Sequence, residues 1–210
     1  MDRQHKNILE IVRSLALEQG IENITIDDIC VAAEITKKEF YTIFKDNADL
    51  VEKVLKFERD HFNQIFEKHN FEGVNAIKTL LTVSKEISSR FKDVNPFVTI
   101  ALKKNYPEIY QEHFNKRTEY IFNKIKINLQ KGISQGIYRQ DLSVELIARL
   151  YISRLIDIHN PDLFPPDRFS FLTLFEEMFD NFIRGIANQN GLEYYEANKP
   201  EMNFQPVLNK

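Results

Sequence analysis

The stretch TIDDICVAAEITKKEFYTIF, residues 25–44, reads as two short helices joined by a tight turn. Thr25 stands three residues before Asp28, so its hydroxyl can cap a helix whose first turn is acidic. Ile26, Ile29, Cys30 and Ala33 then recur at i, i+3, i+4 and i+7, the spacing of one buried helical face. Cys30 lies on that stripe and reads as a small core residue, the usual fate of a free cysteine. Glu34 and Ile35 make the turn. Thr36, with Glu39 three residues on, is a capping box that opens the second helix. At about 100° per residue, Phe40, Ile43 and Phe44 gather on one side of it. Lys37, Lys38, Tyr41 and Thr42 occupy the other.

Working outward, residues 3–19 form a helix with Ile8, Ile11, Val12 and Leu15 as its stripe, stopped by Gly20. After the central stretch, residues 46–69 read as one long helix whose core positions include Leu50, Val51, Val54, Leu55, Phe62 and Ile65. Phe71, Glu72 and Gly73 break it. Helices follow over 74–91, from Asn95-Pro96 through Lys104, and from Pro107 to about Gln135, with Pro107 suited to a first turn. Two more are expected over 143–158 and 168–189, with Gly191 as the final stop. The last is apolar on more than one face and must bury both, which points to a second subunit. From Leu192 the pattern lapses, and an irregular surface tail is expected. The fold class is therefore all-α: a helix-turn-helix domain over 1–48, a helical domain over 49–191 and the tail over 192–210.

Composition narrows the function classes. The 210 residues are 43% hydrophobic and 28% charged, ordinary for a globular chain. No apolar run approaches the roughly 18 residues of a membrane span, and no membrane partner is expected. The first residues lack the apolar core of a secretory signal. A single cysteine cannot form an internal disulfide, so a reducing cytoplasm is the expected compartment. The five histidines are scattered; Glu58 and His61 alone have metal-ligand spacing, and no second pair answers them. No Gly-rich phosphate loop or nucleophile elbow occurs. No enzyme activity, metal or cofactor is expected.

The two-helix stretch and its flanks resemble the tetracycline-repressor (TetR) family of bacterial transcription regulators. The likeness rests on the helix ending at Gly20, on residues 25–44, and on the continuation from Phe44 to Leu50. It extends more weakly to KGISQGIYR at 131–139. The resemblance implies an all-helical homodimer, here joined through 143–158 and 168–189. It also implies a double-stranded DNA operator and a small-molecule effector of unknown identity. Carried over by position, Thr25 and Lys45 would meet phosphates, Thr36, Lys37, Lys38 and Thr42 would face bases or phosphates, and Tyr41 would reach the backbone. The second helix, apolar behind and polar in front, has the size to enter a major groove about 12 Å wide. Two departures from the family stand out: Glu34 replaces the usual turn glycine, and Lys38-Glu39 replaces a small pair. A non-glycine residue in a left-handed turn costs about 1–2 kcal/mol, so Glu34 implies strain or a different turn.

Charge runs against a DNA reader. Residues 1–56 carry eight lysines and arginines against eleven acidic side chains, a net charge of -3. Binding would then rest on a local cluster of Arg3, Lys6, Lys37, Lys38 and Lys45. The alternative is a helical ligand- or partner-binding module whose helix-turn-helix no longer reads DNA. For the effector, Phe97, Ile100, Phe114, Phe122 and Tyr151 are the expected apolar lining. Arg90, Arg117, Arg154, Asp157 and His159 are the candidate polar anchors, with surface ion pairs as the plainer reading of each.

Overall fold

A computed structural model describes residues 3–20, 23–90, 97–165 and 167–199; the side chains of Arg3, Arg90, Phe97 and Val98 lie outside it. Among the described residues ten helices follow in order: α1 (Arg3–Gln19), α2 (Ile26–Ala33), α3 (Lys37–Ile43), α4 (Asn47–Lys68), α5 (Ala76–Arg90), α6 (Phe97–Asn105), α7 (Pro107–Ser134), α8 (Val144–Asp157), α9 (Phe171–Ile186) and α10 (Gln189–Asn198). No strand occurs among the described residues; one isolated bridge pairs Tyr138 with Ala187. Two compact units emerge, one of residues 1–64 with 93–117, the other of 65–92 with 118–210. The boundary expected at 48/49 falls in the first turn of α4. The units divide further along that helix, and 93–117 joins the first.

In the first unit α1, α2, α3 and the start of α4 enclose a core of Ile8, Leu9, Val12, Ile29, Cys30, Phe40, Phe44, Leu50, Val54 and Phe57. Phe40 and Phe44 pack with their rings tilted and 5.0 Å apart, the apolar back of α3. The α1 stripe is rotated from its expected centre: Leu9 and Ala16 are buried, while Ile11 and Leu15 are only half-buried. A second cluster joins Val51, Leu55 and Leu102 with Tyr106, Ile109 and Tyr110.

In the second unit the end of α7 is fastened to the start of α5 by polar side chains. Tyr138 donates its hydroxyl to Asn128 Oδ1 at 2.9 Å, and Asn128 donates to the Ala76 carbonyl at 2.8 Å. Gln135 accepts from the Ala76 amide at 2.8 Å. Gly132 is obligatory there: a Cβ would lie 2.0 Å from the Tyr138 ring. Helix α9 turns Phe175, Met178, Phe179, Phe182, Ile183 and Ile186 into this unit's own core. Most of its apolar surface is thus covered within one chain.

Two expectations at the C-terminus need correction. The helix expected over 168–189 starts later, because Ser170 caps it by accepting from the Thr173 amide at 3.1 Å. It stops at Ile186. The tail expected to be irregular from Leu192 is helical to Asn198. Asn188 caps α10 by accepting from the Gly191 amide at 3.0 Å. Gly191, expected as a stop, lies inside α10, where a Cβ would sit 2.1 Å from the Ile137 carbonyl oxygen. Asp180 then ties α10 to α9, accepting from the Tyr195 hydroxyl at 3.0 Å and Lys199 at 2.5 Å.

Candidate nucleic-acid interface

Both helices of the central stretch open on complete capping boxes. The Asp28 amide donates to the Thr25 hydroxyl at 3.2 Å, and Thr25 donates from its own amide to Asp28 at 2.9 Å. Thr36 and Glu39 repeat the arrangement at 3.2 and 2.8 Å. These bonds hold both carboxyls below their usual range: the Thr25 hydroxyl is the larger cause at Asp28, the Thr36 amide at Glu39. Thr25 and Thr36 are exposed, yet each hydroxyl proton is committed to a carboxylate, at 2.6 and 2.8 Å. Their first role is to start helices.

Between the helices Glu34 adopts φ 53°, ψ 43°. The Ile35 amide reaches the Cys30 carbonyl at 3.0 Å and the Glu34 amide reaches Val31 at 3.3 Å, a Schellman closure of α2. Of the two possibilities for the turn, the backbone takes the left-handed one with a side chain in place. The strain is real.

Helix α3 presents Lys37, Lys38, Tyr41 and Thr42 to solvent, and Lys45 follows in the next turn, also exposed. Tyr41 is 54% exposed and meets Phe40 edge-on at 5.4 Å. Thr42 donates to the Glu39 carbonyl at 2.6 Å, which fixes its hydroxyl against its own helix. Lys37 is held by Asp27 of α2, its ammonium 2.8 Å from Oδ1 and 3.1 Å from Oδ2. That hydrogen bond and charge raise the lysine's pKa. Lys38 and Lys45 make no ion pair among the described residues.

Two residues of this surface escaped the sequence reading. Asp27 is one. Lys53 is the other: it donates to the Ile43 carbonyl at 2.7 Å and to Asp49 at 2.8 Å, and lies over the Phe44 ring at 5.3 Å. It thereby closes the C-terminal end of α3 with a cation. Neither was legible because each reaches ten residues along the chain, beyond any helical spacing. Of the remaining expected cations, Lys6 lines a shallow groove with Gln4, Asn7, Glu10, Phe57 and His61. Arg3 has its side chain outside the described residues.

The expected effector lining divides between the units. In the first, Ile100 is 41% exposed and Phe114 stacks on Tyr110 at 6.0 Å; the Phe97 side chain is not described. In the second, Phe122 is half-buried under Lys126 and Arg149, and Tyr151 is buried against Phe182 at 4.6 Å. Among the anchors, Arg154, Asp157 and His159 are exposed, and His159 stacks on Phe171 at 5.1 Å. Arg117 is half-buried, and burial lowers its pKa, with Glu58 and Tyr110 acting in the opposite direction. Next to it His113 is pushed down to about 3, first by burial and then by Arg117 and Arg59, so it is neutral at physiological pH. Glu58 and His61, the one spacing that suited a metal, are separately engaged: Glu58 pairs with Arg13, and His61 packs tilted against Phe57 at 4.1 Å.

Comparison with known proteins agrees with this architecture. No protein-family model matches the chain. A sequence relative is the HTH-type transcriptional repressor KstR2 of Mycolicibacterium smegmatis, 22% identical over 162 residues, 68% of this chain and 71% of the relative. Among solved structures, the regulatory protein TetR from Rhodobacter sphaeroides superposes with a TM-score of 0.69 at 14% identity, over 89% of this chain and 100% of that one. The TetR family protein CprB from S. coelicolor A3(2) gives a TM-score of 0.68 at 15% identity, over 95% and 96%. The chain has the fold of the TetR-family regulators: an N-terminal helix-turn-helix unit followed by a helical C-terminal region. The resemblance read from residues 25–44 is borne out. The relatives and structural neighbours are regulators rather than enzymes, in keeping with the expectation that no catalytic site is present.

Proposed function

We infer that the chain is a DNA-binding transcription regulator, a homodimeric repressor released from a pseudo-palindromic operator by a small, mostly apolar effector. The observation that carries this reading is α3 itself. Its back, Phe40 with Phe44 just beyond it, is locked in the core, its start is fixed by a capping box, and its polar front faces solvent. A rigid helix with that division can present side chains to base edges while phosphate contacts set its register. The likeness to named repressors supports the same reading.

The dimer rests on α8 and α9. Leu146 and Leu150, one turn apart on α8, are 55% and 50% exposed. A Cβ on Gly185 of α9 would meet nothing within 4 Å, leaving room for a close neighbour. A dimer that reads a pseudo-palindromic operator needs its two recognition helices about one DNA turn, roughly 34–36 Å, apart or a multiple of it. For the effector, support comes from α5. The hydroxyl oxygens of Ser84 and Ser88 are buried with no hydrogen-bond partner among the described residues. Each such group costs about 1–3 kcal/mol, which a ligand's polar atom would recover. An effector that prefers the geometry unable to fit DNA would act through α4, which contributes residues to both compact units.

The net charge of residues 1–56 favours the second reading, a helical module that no longer reads DNA. Binding measurements separate the two. On duplexes recovered by selection from a random pool, Lys38→Ala and Tyr41→Phe weaken binding with the helical circular dichroism unchanged. Binding indifferent to both substitutions would remove α3 as the reading element.

A further inference from the structure

Lys37 is the first residue of α3 and Asp27 lies in the first turn of α2, so their ion pair bridges the two helices of the DNA-reading unit. Both side chains are largely exposed, 60% and 69%, and stand in solvent that an approaching duplex would displace. The Asp27 carboxylate takes no part in the α2 cap, which Asp28 supplies. Lysine has three donors and no acceptor; its ammonium lies within reach of both Asp27 oxygens, and at least one N–H is left for a further acceptor.

We propose that Asp27 is a specificity-determining residue, holding the Lys37 ammonium for a base-edge acceptor and away from the phosphate backbone. This rests on the reading of α2 and α3 as a DNA reader. Phosphate attraction is independent of sequence, and each phosphate neutralised adds about 0.9 to the slope of log K against log salt. Off the operator, a phosphate must strip Lys37 from Asp27, and the exchange of one anion for another gains little. On the operator, the remaining N–H meets a fixed acceptor such as guanine O6 or N7 without breaking the pair. In a unit whose first 56 residues are net acidic, a lysine withheld from phosphates lowers nonspecific binding by a large share.

The test uses the full chain, with Asp27→Asn, Asp27→Ser, Lys37→Gln and the Asp27→Asn/Lys37→Gln double variant. Fluorescence anisotropy is read on the selected duplex and on a shuffled duplex of equal composition, across a salt series. Asp27→Asn is expected to bind the shuffled duplex several-fold tighter, with a slope steeper by about 0.9, and to leave operator affinity equal or weaker. Asp27→Ser repeats this, and the double variant returns to the slope of Lys37→Gln. Equal tightening on both duplexes, an unchanged slope, or a gain that survives Lys37→Gln would overturn the proposal. A wild-type chain that enriches no duplex at all would instead overturn the DNA-reading function beneath it.

Discussion

At Glu34 the backbone takes a conformation that glycine adopts freely and glutamate does not, φ 53° with ψ 43°. The turn is nonetheless well bonded, with the Ile35 and Glu34 amides on the Cys30 and Val31 carbonyls. Replacing Glu34 with Gly therefore relieves strain at the cost of a more flexible unfolded chain. A net stabilisation of about 0.5–1 kcal/mol is expected, read as a higher denaturant midpoint at unchanged slope. Destabilisation would show that the glutamate side chain contributes something the turn needs. At this scale the sequence spoke clearly where partners are three or four residues apart. Thr25 with Asp28, and Thr36 with Glu39, are capping boxes recognisable from spacing alone. It was silent on Asp27 with Lys37 and on Lys53 with Ile43, because those contacts depend on how separate helices are brought together.

Helix α10 shows how a terminator can be misread at the scale of an element. Gly191 looks like a helix stop. Yet Asn188 is an N-cap, and Gly191 is small because the Ile137 carbonyl lies against it. Gly191→Ala is expected to cost about 1–3 kcal/mol through overpacking against backbone, measured by chemical denaturation. The docking of α10 also carries an acid sensitivity. Partial burial opposes the Asp180 charge, but hydrogen bonds from Arg184, Lys199 and Tyr195 outweigh it and hold the carboxyl below its usual range. The stabilisation is present above the unfolded value of about 4 and is lost as pH falls through the lower folded value. Amide exchange along α10 should accelerate on acidification below about pH 4, and Asp180→Asn should raise exchange at neutral pH and flatten that dependence. Helix α1 was placed correctly but rotated. Its period of 3.6 fits two neighbouring stripes, and only packing selects Leu9 and Ala16 over Ile11 and Leu15.

For the whole molecule, the all-α class and the helix-turn-helix were legible because caps, stripes and turns agreed over one short stretch. For the effector lining, periodicity alone does not decide. Aromatic residues at helical spacing fill cores as readily as they line cavities, and the five chosen are divided between two compact units. The expected two-sided burial of α9 is met mostly within the chain, while α8 leaves Leu146 and Leu150 exposed. Leu146→Glu with Leu150→Glu should convert a dimer to monomers in sedimentation velocity, with helical content retained. Dimers that persist would place the interface elsewhere. The account stands on α3 as a reader of duplex DNA, and selection from a random duplex pool by the purified chain, at low salt and without added ligand, tests that most directly. Enrichment of an inverted repeat, with half-sites about one helical turn or a small multiple of it apart, is the predicted result. A pool that shows no enriched sequence would contradict it.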